Sequence, residues 1–204
     1  MNKRLGKRLL FAALLAGSAA ATQAATVWDE SSHGDFSGLY DAPTALTLGL
    51  GGNVILGLTG LTPEGTDRDY FSFVVPNGAI LTSLTLLDNT FVSGGVSFIG
   101  LQVGSRFTKP FDQIQPGDVL GFVHYDTSFV GVDMLPLLDG PVFNGLPSGI
   151  YTAWVQDTGG SAAGYGFDFT VSAAPVPLPG AVWLLVSGAL SLGALRRRRA
   201  ATAA

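Results

Sequence analysis

The sequence predicts an all-β fold, an antiparallel β-sandwich of jelly-roll type with about eight strands. An N-terminal signal peptide and a C-terminal transmembrane helix flank it. Three observations lead there. No run of ten residues in the body has helical periodicity. Short alternating or apolar segments recur instead, divided by Gly, Pro, Asn and Asp. Both ends carry a cluster of basic residues beside an uncharged apolar stretch.

In chain order, Lys3, Arg4, Lys7 and Arg8 precede the apolar Leu9–Ala16 and a series of small residues. This is the layout of a secretory signal over 1–24. Thr22 and Ala24 are small enough for positions −3 and −1, placing cleavage between Ala24 and Ala25. A cut after Ala21, or an uncleaved anchor, is the alternative.

The body, 25–172, opens with Thr44–Leu50, which sets Leu46, Leu48 and Leu50 on one face. Gly51-Gly52-Asn53 turns the chain and Val54–Thr59 answers as a hairpin partner. Tyr70–Val75 alternates, with Phe71, Phe73 and Val75 on one side; Pro76-Asn77-Gly78 is a turn and Ala79–Leu87 returns. Val96–Val103 and Val119–Tyr125 follow, the latter after Pro116-Gly117-Asp118. Ile150–Gln156 begins after Pro147-Ser148-Gly149, and a loop over 159–164 leads to Tyr165–Ser172. Trp154 is expected in the core. A closed barrel is the alternative architecture.

Residues 173–180 form a Pro-rich linker containing Val176, Pro177, Leu178 and Pro179. Proline fixes φ and lacks an N–H, so this motif is extended and readable by another protein. The run 181–195, with Ala181, Trp183, Leu184 and Leu195, holds no charge. Fifteen residues are short for a span of about 20, but starting at Leu178 gives eighteen. Arg196, Arg197, Arg198 and Arg199 then stop transfer and stay cytoplasmic, in a basic tail over 196–204.

The whole chain carries a formal charge of −4, but eight of its eleven basic residues lie in the two terminal segments. The body keeps three basic against fifteen acidic side chains, hence −12. That excludes nucleic acid as a partner. With no cysteine, it has no disulfide framework, thiol nucleophile or thiolate metal site.

The series of proline motif, apolar helix and arginine cluster resembles the PEP-CTERM sorting signal, in its "VPLP" form at Val176-Pro177-Leu178-Pro179. Leu178 stands where the name-giving motif has Glu. The resemblance implies export, a single-pass inner-membrane intermediate, and processing by an exosortase-like protease. The destination would be the cell surface or extracellular matrix of a bacterium, with extracellular polysaccharide as a partner. The body resembles the bacterial pre-peptidase C-terminal domain at three places: Asp67–Gly78, Leu146–Thr152 and Tyr165–Val171. That family implies a β-sandwich and a non-catalytic role.

No enzyme is expected. There are two histidines, His33 and His124, and no G-x-S-x-G elbow. Asp29-Glu30 with His33 could imitate a metal site. No cofactor is assigned, with calcium at Asp67 and Asp69 as the one metal candidate and Glu64 close by. The EF-hand spacing is missing, and the alternative is that these acids cap a turn. The functional expectation is a cell-surface protein with a binding or structural role. The alternatives are a polysaccharide-binding adhesin and, behind it, a secreted hydrolase.

Overall fold

The structure, a computed structural model, describes residues 24–63, 65–138, 145–159, 162–175 and 187–188. Eleven strands are described: β1 Ala25–Asp29, β2 Thr44–Thr47, β3 Asn53–Thr59, β4 Leu61–Thr62, β5 Gly65–Thr66, β6 Arg68–Leu86, β7 Phe91–Val92, β8 Ser97–Val103, β9 Gly121–Tyr125, β10 Leu146–Asp157 and β11 Ala163–Ala173. Among the described residues these are joined by α1 Glu30–His33 and four short 3-10 turns, and 187–188 are also helical. The expected all-β character is observed. No helix among the described residues is long and apolar enough to cross a membrane.

Nine strands form one sheet in the order β1-β3-β11-β6-β10-β8-β9, with β2 also on β6 and β7 on β11. The pairing is mixed and not, as expected, purely antiparallel: β1 runs parallel to β3, and β2 parallel to β6. The hairpin expected between 44–50 and 54–59 does not form. Asn53 explains this corner. Its Nδ2 donates to the carbonyls of Gly49, Gly51 and Phe169, and its Oδ1 accepts from Gly49 N. Gly51 exchanges backbone bonds with Val171 of β11. The corner is therefore tied to β11, and the two flanking strands separate to different partners.

The second difference is at Pro76-Asn77-Gly78. These residues do not reverse the chain but bend a single strand of 19 residues. Opposite them, Gly149 of β10 pairs with Val75 and Pro147 with Ile80, so the longer β6 segment bulges. Pro76 offers no ladder N–H, and Gly78 takes φ +73°, which only glycine adopts without strain. Before the bend, β6 lies between β2 and β10; after it, Ala79–Leu86 pairs with β11. The bend folds one half across the other, so that Phe71 and Phe73 meet Phe169 of β11 edge to face at 6.1 and 5.1 Å. The result is sandwich-like.

The main core fills that fold with Phe71, Phe73, Leu81, Leu84, Phe167 and Phe169, none with any exposure. Each such side chain contributes about 1.5–3 kcal/mol. Leu46 and Leu48 join it as expected, while Leu50 lies past the end of β2 and is 59 % exposed. On the opposite face of β6 sits a smaller cluster of Tyr70, Phe107 and Trp154. Trp154 is buried there, as its sequence position suggested.

Candidate functional site

Alternation along β6 decides the site. Phe71, Phe73 and Val75 point into the core, and the same period puts Asp69 at the head of that face. Asp69 is 0 % exposed. On β11, Tyr165 leads the inward row of Phe167, Phe169 and Val171 in the same way. The two polar heads meet: the Tyr165 hydroxyl donates to Asp69 Oδ2 at 2.7 Å. The other oxygen, Oδ1, is buried and accepts no hydrogen bond. Gly57, opposite Tyr165 on β3, makes room for the ring, because a methyl group there would overlap the phenol oxygen.

Two more acids reach this point from the N-terminal segment. Asp29 caps α1 by accepting from Ser31 N at 2.9 Å. The next residue, Glu30, turns inward. Its Oε1 accepts from Phe36 N at 2.9 Å and its Oε2 from Leu58 N on β3 at 2.6 Å. Gly34, at φ +88°, reverses the backbone and brings Asp35 alongside. Ring contacts hold the segment down: Trp28 stacks on Phe36 at 5.2 Å, and Phe36 meets Phe71 in a tilted contact at 4.9 Å. One carboxylate oxygen each of Glu30, Asp35 and Asp69 lie within 4.8 Å of one another. Glu30 and Asp35 line a cleft of about 420 Å³ together with Asp67, Leu56, Phe91 and Tyr165, and Asp69 is buried next to them.

Burial and crowding make this a high-energy place for charge. Burial pushes the Asp69 carboxyl up to about 9, helped by the neighbouring Glu30, Asp67 and Asp35 and opposed by the Tyr165 hydrogen bond. Burial likewise raises Glu30 to about 7, against the two backbone N–H groups that favour its ionised form. Asp67 is raised by burial and then by Asp35, with Arg68 opposing. Every charge acting on Asp69 is negative. Of the body's three cations, Arg68 lies 3.5 Å from the Phe111 ring centre and Lys109 pairs with Asp118 at 2.7 Å.

The expected pair Asp67 and Asp69 is thus separated. Asp69 is a strand residue pointing inward, and Asp67 lines the cleft outside the trio. Glu64 lies outside the described residues. Of the group Asp29, Glu30 and His33, Glu30 joins the trio and Asp29 lines the cleft; His33 stacks on Trp28 at 5.0 Å, with Nδ1 3.1 Å from the Asp29 carbonyl. Asp35 carries one sequence signal, its proximity to Glu30 across a glycine. His124 sits exposed on β9, beside Phe98 and Phe122.

A second, apolar groove of about 170 Å³ runs between Phe98, Phe111, Ile114, Phe122 and Trp154. Ala25 begins β1 and donates to the Gly52 carbonyl at 2.9 Å. The remaining signal positions (Val176, Pro177, Leu178, Pro179, Ala181, Trp183, Leu184, Leu195 and Arg196 to Arg199) lie outside the described residues, as do 1–23.

No protein-family model and no curated protein matches this chain.

Proposed function

We propose that this is an exported, non-enzymatic protein delivered to a bacterial cell surface or extracellular matrix by its C-terminal sorting signal. Its body is a β-sandwich, jelly-roll-like with β1 and β2 added in parallel, and it serves a structural or binding role there. The observation that carries the reading is the grammar of the tail. A proline motif, an uncharged apolar run and four arginines follow one another without interruption from Val176 to Arg199. Among the described residues the first strand starts at Ala25 and the last ends at Ala173, so the two expected processing points do not fall within these strands.

In this mechanism the basic residues at both ends stay cytoplasmic while the acidic body crosses. The marginal apolar length holds the chain until an exosortase-like protease reaches Val176–Pro179. Replacing Arg196 to Arg199 by Ala is expected to raise the amount of unprocessed protein in the medium, measured by fractionation and intact mass. Equal distribution of variant and parent would contradict the stop-transfer role.

The aromatic groove favours polysaccharide binding as the second reading. Phe111 is substantially exposed at its rim, where a flat ring can stack on a sugar face. Phe111→Ala is then expected to lose retention on envelope polysaccharide without change in fold; unchanged retention would remove this reading.

A further inference from the structure

The acidic trio invites a question that the sorting signal does not answer: what neutralises Asp69? A buried carboxylate with one oxygen unpaired costs free energy unless a proton or a cation meets it. Here Oδ1 is fully buried and unpartnered, and no cationic side chain faces it. Two further carboxylates converge on the same point from separate elements, Glu30 from α1 and Asp35 from the loop after Gly34.

We propose that Glu30, Asp35 and Asp69 bind a calcium ion at the wall of the cleft, clamping the N-terminal segment onto β3 and β6. Three arguments support it. The donor set is all carboxylate oxygen, which selects a hard cation over zinc or copper. Oxygens on opposite sides of a calcium ion stand up to about 4.8 Å apart, twice a bond of about 2.4 Å, and the three side chains satisfy that limit. The ligands are also preset: the backbone N–H groups of Phe36 and Leu58 fix both Glu30 oxygens, and the Tyr165 hydroxyl fixes one of Asp69. Each fixed oxygen keeps a lone pair for the ion.

Calcium suits the site better than magnesium. The ligands come from a helix start, a loop and a strand, an irregular set, whereas magnesium demands near-ideal octahedral geometry at about 2.1 Å. Asp35 is exposed, and the open cleft admits the waters that would complete a shell of 6–8 oxygens. Asp67, on the same wall, adds negative field without being one of the three. The proposal does not depend on the sorting signal, and its failure would leave that reading untouched.

Terbium offers a direct probe, since it occupies calcium sites and is sensitised by a nearby tyrosine, here Tyr165. The full chain, purified in mild detergent without chelator, is titrated with terbium under tyrosine excitation. The expected result is saturable luminescence that calcium displaces and equal magnesium does not. Asp69→Asn and Asp35→Asn should each weaken binding roughly tenfold or more. Asp118→Asn, whose carboxylate meets Lys109 and the Gln115 N–H and none of the trio, should match the parent. Asp35 is exposed, so its variant keeps the test meaningful even if Asp69→Asn misfolds. Absence of saturable luminescence, equal displacement by magnesium, or parent-like binding by Asp35→Asn would each overturn the proposal.

Discussion

Asp69 and Tyr70 are neighbours on one strand, about equally buried, and they face opposite sides of the sheet. Tyr70 packs among Phe107 and Trp154, with ring centres 5.7 and 6.0 Å away. Burial there is favourable, as it is for any well-fitted ring. Asp69 sits among Glu30, Asp35 and Tyr165, where burial works against it and the surrounding charge makes matters worse. The pleat dictates both placements in the same way. Chemistry alone separates them: one face is filled by packed rings, and on the other a buried carboxylate oxygen lacks a partner that the proposed ion would supply.

If the two faces are energetically separate, they can be damaged separately. The largest effect is expected from Trp154→Ala, which empties the aromatic side and should cost about 3–5 kcal/mol in denaturant melts. Its calcium response should persist; loss of that response would show that the faces are coupled. The next effect is on the acid side and needs no mutation. The Asp69 carboxyl titrates near 9 when folded and near its ordinary value of 3.8 when unfolded. The folded state therefore holds the proton more tightly, and stability falls as pH rises through the window between those values. In excess chelator, melting temperature should drop between about pH 5 and pH 9, with Glu30 contributing in the same direction, and Asp69→Asn should reduce that slope. An equal slope in both proteins would assign the pH response elsewhere.

Gly57→Ala is expected to cost about 1–3 kcal/mol by forcing the Tyr165 ring away from β3. It should weaken calcium binding as well, because Tyr165 orients Asp69. The smallest effect is that of Tyr165→Phe. It removes the hydroxyl that donates to Asp69, costs about 1 kcal/mol, and should also weaken calcium binding while leaving the aromatic face intact.

Much of the β pattern was legible because it depends on local alternation. Phe71, Phe73, Val75 and the row from Tyr165 to Val171 fell on the faces that their spacing indicated. The ambiguous signals were proline and glycine. Pro76-Asn77-Gly78 suits a reversal and a bulge equally well, and the continuous partner strand β10 selected the bulge. Asn53 looked like a turn residue, yet its amide reaches across 116 positions to Phe169, which no local pattern encodes. The site was half legible for a related reason. Extending the alternation of β6 back by two residues puts Asp69 inward, but an Asp beside Asp67 in a polar stretch suggests a turn. Glu30 and Asp35 reach Asp69 only through the tertiary fold, 39 and 34 residues away in sequence.

The central claim is that Asp69 harms the body when bare and helps it when a cation is bound. Calorimetric melts of the full chain and Asp69→Asn at neutral pH, each in chelator and in saturating calcium, test this directly. With calcium a hundredfold above its Kd, the parent should gain about 5–10 °C. The variant should melt at or above the parent in chelator and below it in calcium, so that the order of the two reverses. A variant that melts below the parent by the same margin in both conditions would contradict the claim and leave Asp69 as an ordinary packing residue.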